Sequence, residues 1–222
     1  MKKKALFSWS GGKDSALSLE YAKSGGEYEI AALITTVTSD YGRVSMHGLR
    51  CDLLDRQVTS LGYPLEKVLI SKNADNNEYE AAFKSVLLKY RGLGVETVIY
   101  GDIFLQDIRE YREKQLGGIG IKCLFPIWKK DTRKLARRFI DSGFKAVAIC
   151  VDSEALDGSF AGRDYDYDFL SDLPEGVDPC GENGEFHTFV YDGPVFNERI
   201  DFSKGDIVFR DSRFYYCDLI PL

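Results

Sequence analysis

Six residues near the start of the chain, Ser10-Gly11-Gly12-Lys13-Asp14-Ser15, bring together two glycines, two hydroxyls, an ammonium and a carboxylate. A phosphate needs converging N–H donors with no side chains in the way. Adjacent glycines let the backbone approach closely, and a helix starting at this point adds amide donors and a partial positive charge. Ser10 and Ser15 supply hydroxyls and Lys13 a full charge. Asp14 fits either a magnesium ion or a helix cap. The spacing is neither G-x-x-x-x-G-K-[ST] nor G-x-G-x-x-G. Two glycines alone would read as a plain strand-to-helix turn. All six residues directly after an apolar strand point to phosphate.

A second dense stretch runs Asp178-Pro179-Cys180-Gly181-Glu182-Asn183-Gly184-Glu185-Phe186-His187-Thr188. Asn183-Gly184 signals a tight turn. If Glu185 begins a strand, Glu185 and His187 share one face, with Glu182 across the turn. His187 is one of only two histidines. An imidazole among carboxylates suits acid–base work or amine binding. A surface hairpin with a polar outer face fits the same residues, so both readings stand. His47 is either a satisfied loop histidine or, with Arg50, a group approaching a nucleotide. Asp102, after Gly101, closes a strand on the ligand edge. Arg133, Lys134, Arg137 and Arg138 read as a solvated helix face, and Cys180 as an inert buried thiol.

The elements that must carry these residues alternate. Apolar runs predict strands over Lys4 to Ser8, Glu29 to Val37, Leu65 to Ile70 and Val95 to Tyr100. Helical spacing predicts helices over Lys13 to Lys23, Leu49 to Leu61, Asn77 to Tyr90 and Asp107 to Leu116. Such alternation implies a parallel sheet covered by helices, with ligands at the carboxyl ends of its strands. Ser8, Ser10 to Ser15, Thr35, Gly101 and Asp102 all fall there. After Pro126 the alternation continues once, with a helix around Leu135 to Ile140 and a strand over Lys145 to Val151. The character then changes. A short helix is expected at Asp166 to Leu173, a strand at Phe186 to Tyr191, and a hairpin of Asp206 to Arg210 with Phe214 to Leu219. The fold class is therefore α/β with a smaller mixed α+β C-terminal part. The expected division is 1–128 for the phosphate-binding part and 129–222 for the second substrate.

Composition sets the outer bounds. The chain has 222 residues, 44% hydrophobic and 29% charged, and a net charge of −6. Those values fit a globular protein rather than a disordered one. The acidity argues against a general nucleic-acid binder. No run approaches the roughly 20 apolar residues of a membrane span. Five scattered cysteines without a C-x-x-C pair fit a reducing, cytoplasmic setting and give no zinc framework.

Ser10 to Ser15 resembles the pyrophosphate loop of the N-type ATP pyrophosphatases, which split ATP into AMP and pyrophosphate while activating a carbonyl oxygen as an adenylate. With the Asp178 to Thr188 block, the chain resembles the diphthine–ammonia ligase family over nearly its whole length. Further marks are Met46-His47-Gly48-Leu49-Arg50, Gly101-Asp102-Ile103, Arg109-Glu110-Tyr111, Pro126-Ile127-Trp128 and Gly162-Arg163. The resemblance implies an adenine-nucleotide α-hydrolase-like (Rossmann-like) fold. It also implies ATP on Ser8, Ser10, Gly11, Gly12, Lys13, Asp14, Ser15, Thr35, Gly101 and Asp102, with Mg²⁺ at Asp14. Lys13, Asp14, Glu182, Glu185 and His187 would carry the chemistry, and Asn183, His47 and Arg50 would meet the second substrate. The diphthamide branch reads Glu-Gly-Gly-Glu-Tyr/Phe-Glu-Thr where this chain reads Glu-Asn-Gly-Glu-Phe-His-Thr. That variant resembles a bacterial branch associated with cobalamin salvage.

The expected activity is an ATP-dependent amide ligase. A substrate carboxylate, on diphthine of an elongation factor or on a small acid, attacks the α-phosphorus. Pyrophosphate leaves, and ammonia then displaces AMP. Competing readings are amidation of a corrinoid-related acid, a tRNA-modifying ATP pyrophosphatase, and a nucleotide-binding regulator without chemistry. Assembly as a homodimer stays open. Lys13 and Asp14 are expected at a solvent-facing turn, where replacement would cost turnover but not stability.

Overall fold

The computed structural model describes residues 2–38, 43–44, 48–71 and 75–222. Strand β1 (Lys3–Ser8) is buried through Ala5, Leu6 and Phe7, and so needs partners on both edges. It pairs in parallel with β2 (Tyr28–Thr38) on one edge and β5 (Thr97–Ile99) on the other. Strand β4 (Leu65–Ile70) extends the sheet beyond β2, and β6 (Lys122–Leu124) extends it beyond β5, both in parallel. The parallel order is therefore β4-β2-β1-β5-β6. A two-residue strand, β3 (Arg43–Val44), adds to the far end of β2 in antiparallel fashion. From β1 the chain winds outward one way through β2 and β4, then returns to wind the other way through β5 and β6. The crevice at the carboxyl ends of β1 and β5 is thus the topological switch point, where ligands of such sheets bind.

The helices make the crossovers. Helix α1 (Lys13–Ser24) follows β1, α2 (Cys51–Leu61) precedes β4, α3 (Asn76–Gly92) precedes β5, and α4 (Gln106–Gly117) precedes β6. Asp75 caps α3 by accepting from the Glu78 amide at 2.8 Å, and Gly62 ends α2 in the left-handed region. The β5 end comes very close to the start of α1. A Cβ added at Gly101 would lie 3.0 Å from both the Asp14 carbonyl carbon and the Ser15 nitrogen, so only glycine lets these backbones meet.

Helix α5 (Thr132–Asp141) leads into β7 (Lys145–Asp152), α6 (Tyr167–Asp172) follows, and β8 (Phe186–Asp192), β9 (Phe202–Arg210) and β10 (Phe214–Pro221) complete the chain. Strand β7 does not continue the parallel sheet, as the sequence pattern had suggested. It lies in a second, antiparallel sheet of order β8-β7-β10-β9. Its apolar run reports only that both faces are buried, which a central strand of either sheet type requires. Strand β6 goes unannounced in the sequence because three residues are too few to show a period. One apolar core crosses from the first sheet into the second, joining Phe7, Trp9 and Leu53 to Phe144, Phe186 and Phe189. The other face of the parallel sheet carries a separate core under α3 and α4, around Leu6, Leu87 and Tyr100.

The Gly101 contact yields a stability test. Gly101→Val should lower the unfolding free energy by about 1–3 kcal/mol, the cost of overpacking a close contact. Urea denaturation with the slope unchanged would show it.

Candidate active site

The first loop does not stand open to solvent. It packs against β8, so the two dense sequence blocks form one constellation at the switch point. The Val190 amide donates to the Gly11 carbonyl at 2.9 Å, and the Lys13 amide donates to Thr188 Oγ1 at 3.1 Å. Within the loop the Gly12 amide donates to Ser10 Oγ at 3.3 Å, and Ser15 Oγ donates to the Gly12 carbonyl at 2.8 Å. Ser8 ends β1 just before the loop. Thr35 is buried, and its hydroxyl donates to the Trp9 carbonyl at 2.5 Å, bracing the strand end that launches the loop.

Lys13 is only 4% exposed, which overturns the expectation of a solvent-facing turn. Its Nζ donates to Asp14 Oδ2 at 2.8 Å and to the Cys180 carbonyl. The ammonium also lies 5.1 Å from the Phe186 ring centroid and 5.8 Å from that of Tyr165. Burial works against its charge, yet the surrounding acidic groups, Asp14 foremost, hold its pKa above the ordinary value. Burial pushes Asp14 up as well, with Lys13 opposing and Asp178 adding to the rise. Of the two, the Lys13 charge is the firmer, since a carboxylate, a carbonyl and two ring faces surround it.

Glu182 joins the second block to the first sheet. Its Oε1 accepts from the Ile103 amide at 2.6 Å and the Phe104 amide at 3.2 Å, just beyond β5. Burial, with the Asp14 charge second, pushes its carboxyl up to about 7 against those two amides. A carboxyl balanced near neutrality can take or give a proton at little cost.

Glu185 has a different part. It precedes β8 and is turned into its own loop, accepting from the Asp178 amide at 3.1 Å, the Asn183 amide at 3.0 Å and Asn183 Nδ2 at 2.9 Å. It braces the block rather than facing a substrate. Asn183 is held by the same bonds. His187 lies on β8, and burial, with Lys13 beside it, brings its pKa down to about 4, so the imidazole is neutral at physiological pH. Cys180 is buried, its thiol donating to the Thr132 carbonyl at 3.4 Å, and burial pushes its pKa far up. That is an inert thiol.

Two expected ligand contacts are engaged elsewhere. Asp102 pairs with Arg112 on α4, at 3.0 and 3.1 Å, and Arg112 stacks 4.2 Å from the Tyr100 ring centroid. Arg50 forms a two-pronged pair with Asp218 on β10, at 3.0 and 2.5 Å. His47 lies outside the described residues. Sequence reasoning did not single out Gln57, Tyr165 or Arg112. Gln57 is a lone amide in the apolar stripe of Leu54, Val58 and Leu61, and that mismatch was its one visible signal.

A family model described as diphthamide synthase N-terminal domain matches residues 1–123, and one described as diphthamide synthase C-terminal domain matches residues 131–219. The chain belongs to the diphthamide synthase family. Similar proteins named diphthine–ammonia ligase occur in Schizosaccharomyces pombe (29% identity over 225 residues), Homo sapiens (27% over 228) and Danio rerio (26% over 216). The matches cover 91%, 91% and 86% of this chain. They cover 84% of the human protein and 83% of the zebrafish protein, but only 36% of the fission yeast protein. The two family segments meet here through hydrogen bonds from the first loop to β8 and from the β5 loop to Glu182.

Two outcomes test this geometry in a diphthamide synthase chain. Lys13→Met should destabilise the fold by about 1–3 kcal/mol, because the Cys180 carbonyl is left buried without a donor; chemical denaturation reads it. Glu182→Gln bears on pH. The folded-state pKa of Glu182, about 7, lies above its ordinary value of 4.5, so the folded state holds this proton more tightly. Stability contributed by this group is present below its unfolded value and falls as pH rises through that window. Glu182→Gln should flatten that fall in a pH series of thermal melts.

Proposed function

We propose that this member of the family is an ATP-dependent carbon–nitrogen ligase that forms an amide from a carboxylate and ammonia, with ATP leaving as AMP and pyrophosphate. ATP binds the first loop and the acceptor enters from the C-terminal part, with the division near residues 128 and 129. The observation that carries the reading is Glu182, which touches the β5 loop and lies within the electrostatic reach of Lys13 and Asp14. It puts a proton acceptor poised near neutrality beside a loop built for phosphate.

The chemistry then divides among the residues. The Ser10 and Ser15 hydroxyls and the start of α1 receive the phosphates, with Ser8 and Gly101 lining the approach. The acceptor carboxylate attacks the α-phosphorus and pyrophosphate departs. Ammonia attacks the acyl carbon, AMP departs, and the nitrogen loses a proton to Glu182. Neutral His187 orients the amine or the acceptor, while Glu185 and Asn183 keep the block in shape. Asp14 is a carboxylate able to hold Mg²⁺ together with ATP phosphates, where the ion would neutralise their charge. A magnesium ion bound this way needs only one or two protein carboxylates.

The acceptor is diphthine, by the names of the relatives. His187 supports a second acceptor, since it replaces an acidic residue of the diphthamide branch with a neutral imidazole and so changes the charge offered next to Lys13. A small acid such as a corrinoid-related carboxylate fits that change.

Incubating the protein with labelled ATP, ammonia and each acceptor should give AMP and pyrophosphate in step with amide. ADP as the main product would sink the ligase reading, and amide only on a small acid would select the second acceptor.

A further inference from the structure

Gln57 sits on the core face of α2 and is 0% exposed, among Leu53, Leu54, Val58 and Leu61. A buried amide costs stability unless its polar atoms are matched. Here they all are. Nε2 donates to the Gly11 carbonyl at 3.0 Å and to the Val190 carbonyl at 2.6 Å, and Oε1 accepts from Trp9 Nε1 at 3.1 Å. The partners leave the amide one orientation, because an indole N–H can only donate and backbone carbonyls can only accept. A leucine of similar volume would fill the space and make none of these bonds. Three long-range bonds from one side chain therefore mark a task other than packing.

That task is visible in the peptide between Gly11 and Gly12. Its bond is trans, so the Gly11 carbonyl and the Gly12 N–H point in opposite directions. The carbonyl is drawn inward by both Gln57 Nε2 and the Val190 amide. The Gly12 N–H is thereby turned away from Gln57 and Val190, toward Ser10 Oγ. The contact is close enough to exclude any side chain at Gly11. That residue has φ +81°, and a Cβ there would lie 2.8 Å from Gln57 Oε1. Trp9 anchors the arrangement from the other side, since its amide donates to Ile34 and its carbonyl accepts from Thr35.

We propose that Gln57 is a positioning residue for nucleotide binding. It fixes the Gly11–Gly12 peptide by its carbonyl, so that the Gly12 N–H stays on the Ser10 side of the loop, and it ties that orientation to strand β8. Affinity at the first loop then depends on a contact supplied by the C-terminal sheet. This inference rests on the reading of the loop as a phosphate site, and it names a residue that touches neither phosphate nor acceptor.

The test uses the full chain with Gln57→Met, which keeps length and apolar volume, and Trp9→Phe, which removes the donor to Oε1 while keeping an aromatic ring in the core. ATP binding is read by calorimetry and turnover at saturating ATP alongside it. Gln57→Met should raise the Kd for ATP at least about tenfold, the equivalent of one or two lost hydrogen bonds. Turnover at saturating ATP should stay within about threefold, because the reacting groups are untouched. Trp9→Phe should raise the Kd in the same direction by about two- to fivefold. It serves as the test if Gln57→Met fails to fold. A lowered melting temperature with unchanged Kd in the variants would assign Gln57 to packing alone and overturn the proposal. Wild-type protein that does not bind ATP would overturn the phosphate-site reading, and this inference with it.

Discussion

An ammonium buried to the extent of Lys13 must be answered from every side, and much of the site is that answer. Asp14 supplies the counter-charge, the Cys180 carbonyl a neutral acceptor, and the rings of Phe186 and Tyr165 the remaining faces. These do not all come from one region. Asp14 opens a helix of the first sheet, while the other three belong to the C-terminal part. Placing that charge therefore forces the two sheets together in one relative position. It also sets the electrostatics next door. Burial first and the Asp14 charge second hold the Glu182 carboxyl at about 7, and burial first and Lys13 second keep His187 neutral.

The fold was readable where periodicity was long. The first helices and strands are found within a residue or two of the ranges that their apolar spacing implies, and β4 coincides with its expected span. The failures have distinct causes. Strand β6 was too short to repeat a pattern. Strand β7 was legible as a strand but not as a member of the second sheet, because full burial looks the same in either. The hairpin of β9 and β10 begins earlier than expected, at Phe202, because polar and glycine residues between Ser203 and Asp206 obscure the alternation.

Site residues divide along similar lines. The glycine loop was legible because its chemistry is local and dense. The second block was legible as a cluster, but not in the role of each carboxylate. Glu182 and Glu185 are three residues apart and chemically identical. What separates them is whose amides they accept, those of the β5 loop for one and those of the same turn for the other. Arg50 and Asp102 were plausible ligand contacts by position, but each has found a closer partner, Asp218 and Arg112. Pairing across the fold is invisible to a reading that sees only neighbours along the chain.

The bond between the Lys13 amide and Thr188 spans 175 residues of sequence. A chain made from its amino terminus exposes the glycine loop early and must add those 175 residues before β8 arrives to complete it. During that wait the loop lacks its opposing strand and Lys13 lacks the Cys180 carbonyl. Contacts of such long separation are closed late and slowly, since loop entropy must be overcome before they reward the chain. A nascent chain thus carries the glycine loop and the buried-to-be Lys13 without their opposing strand until those later residues have been made.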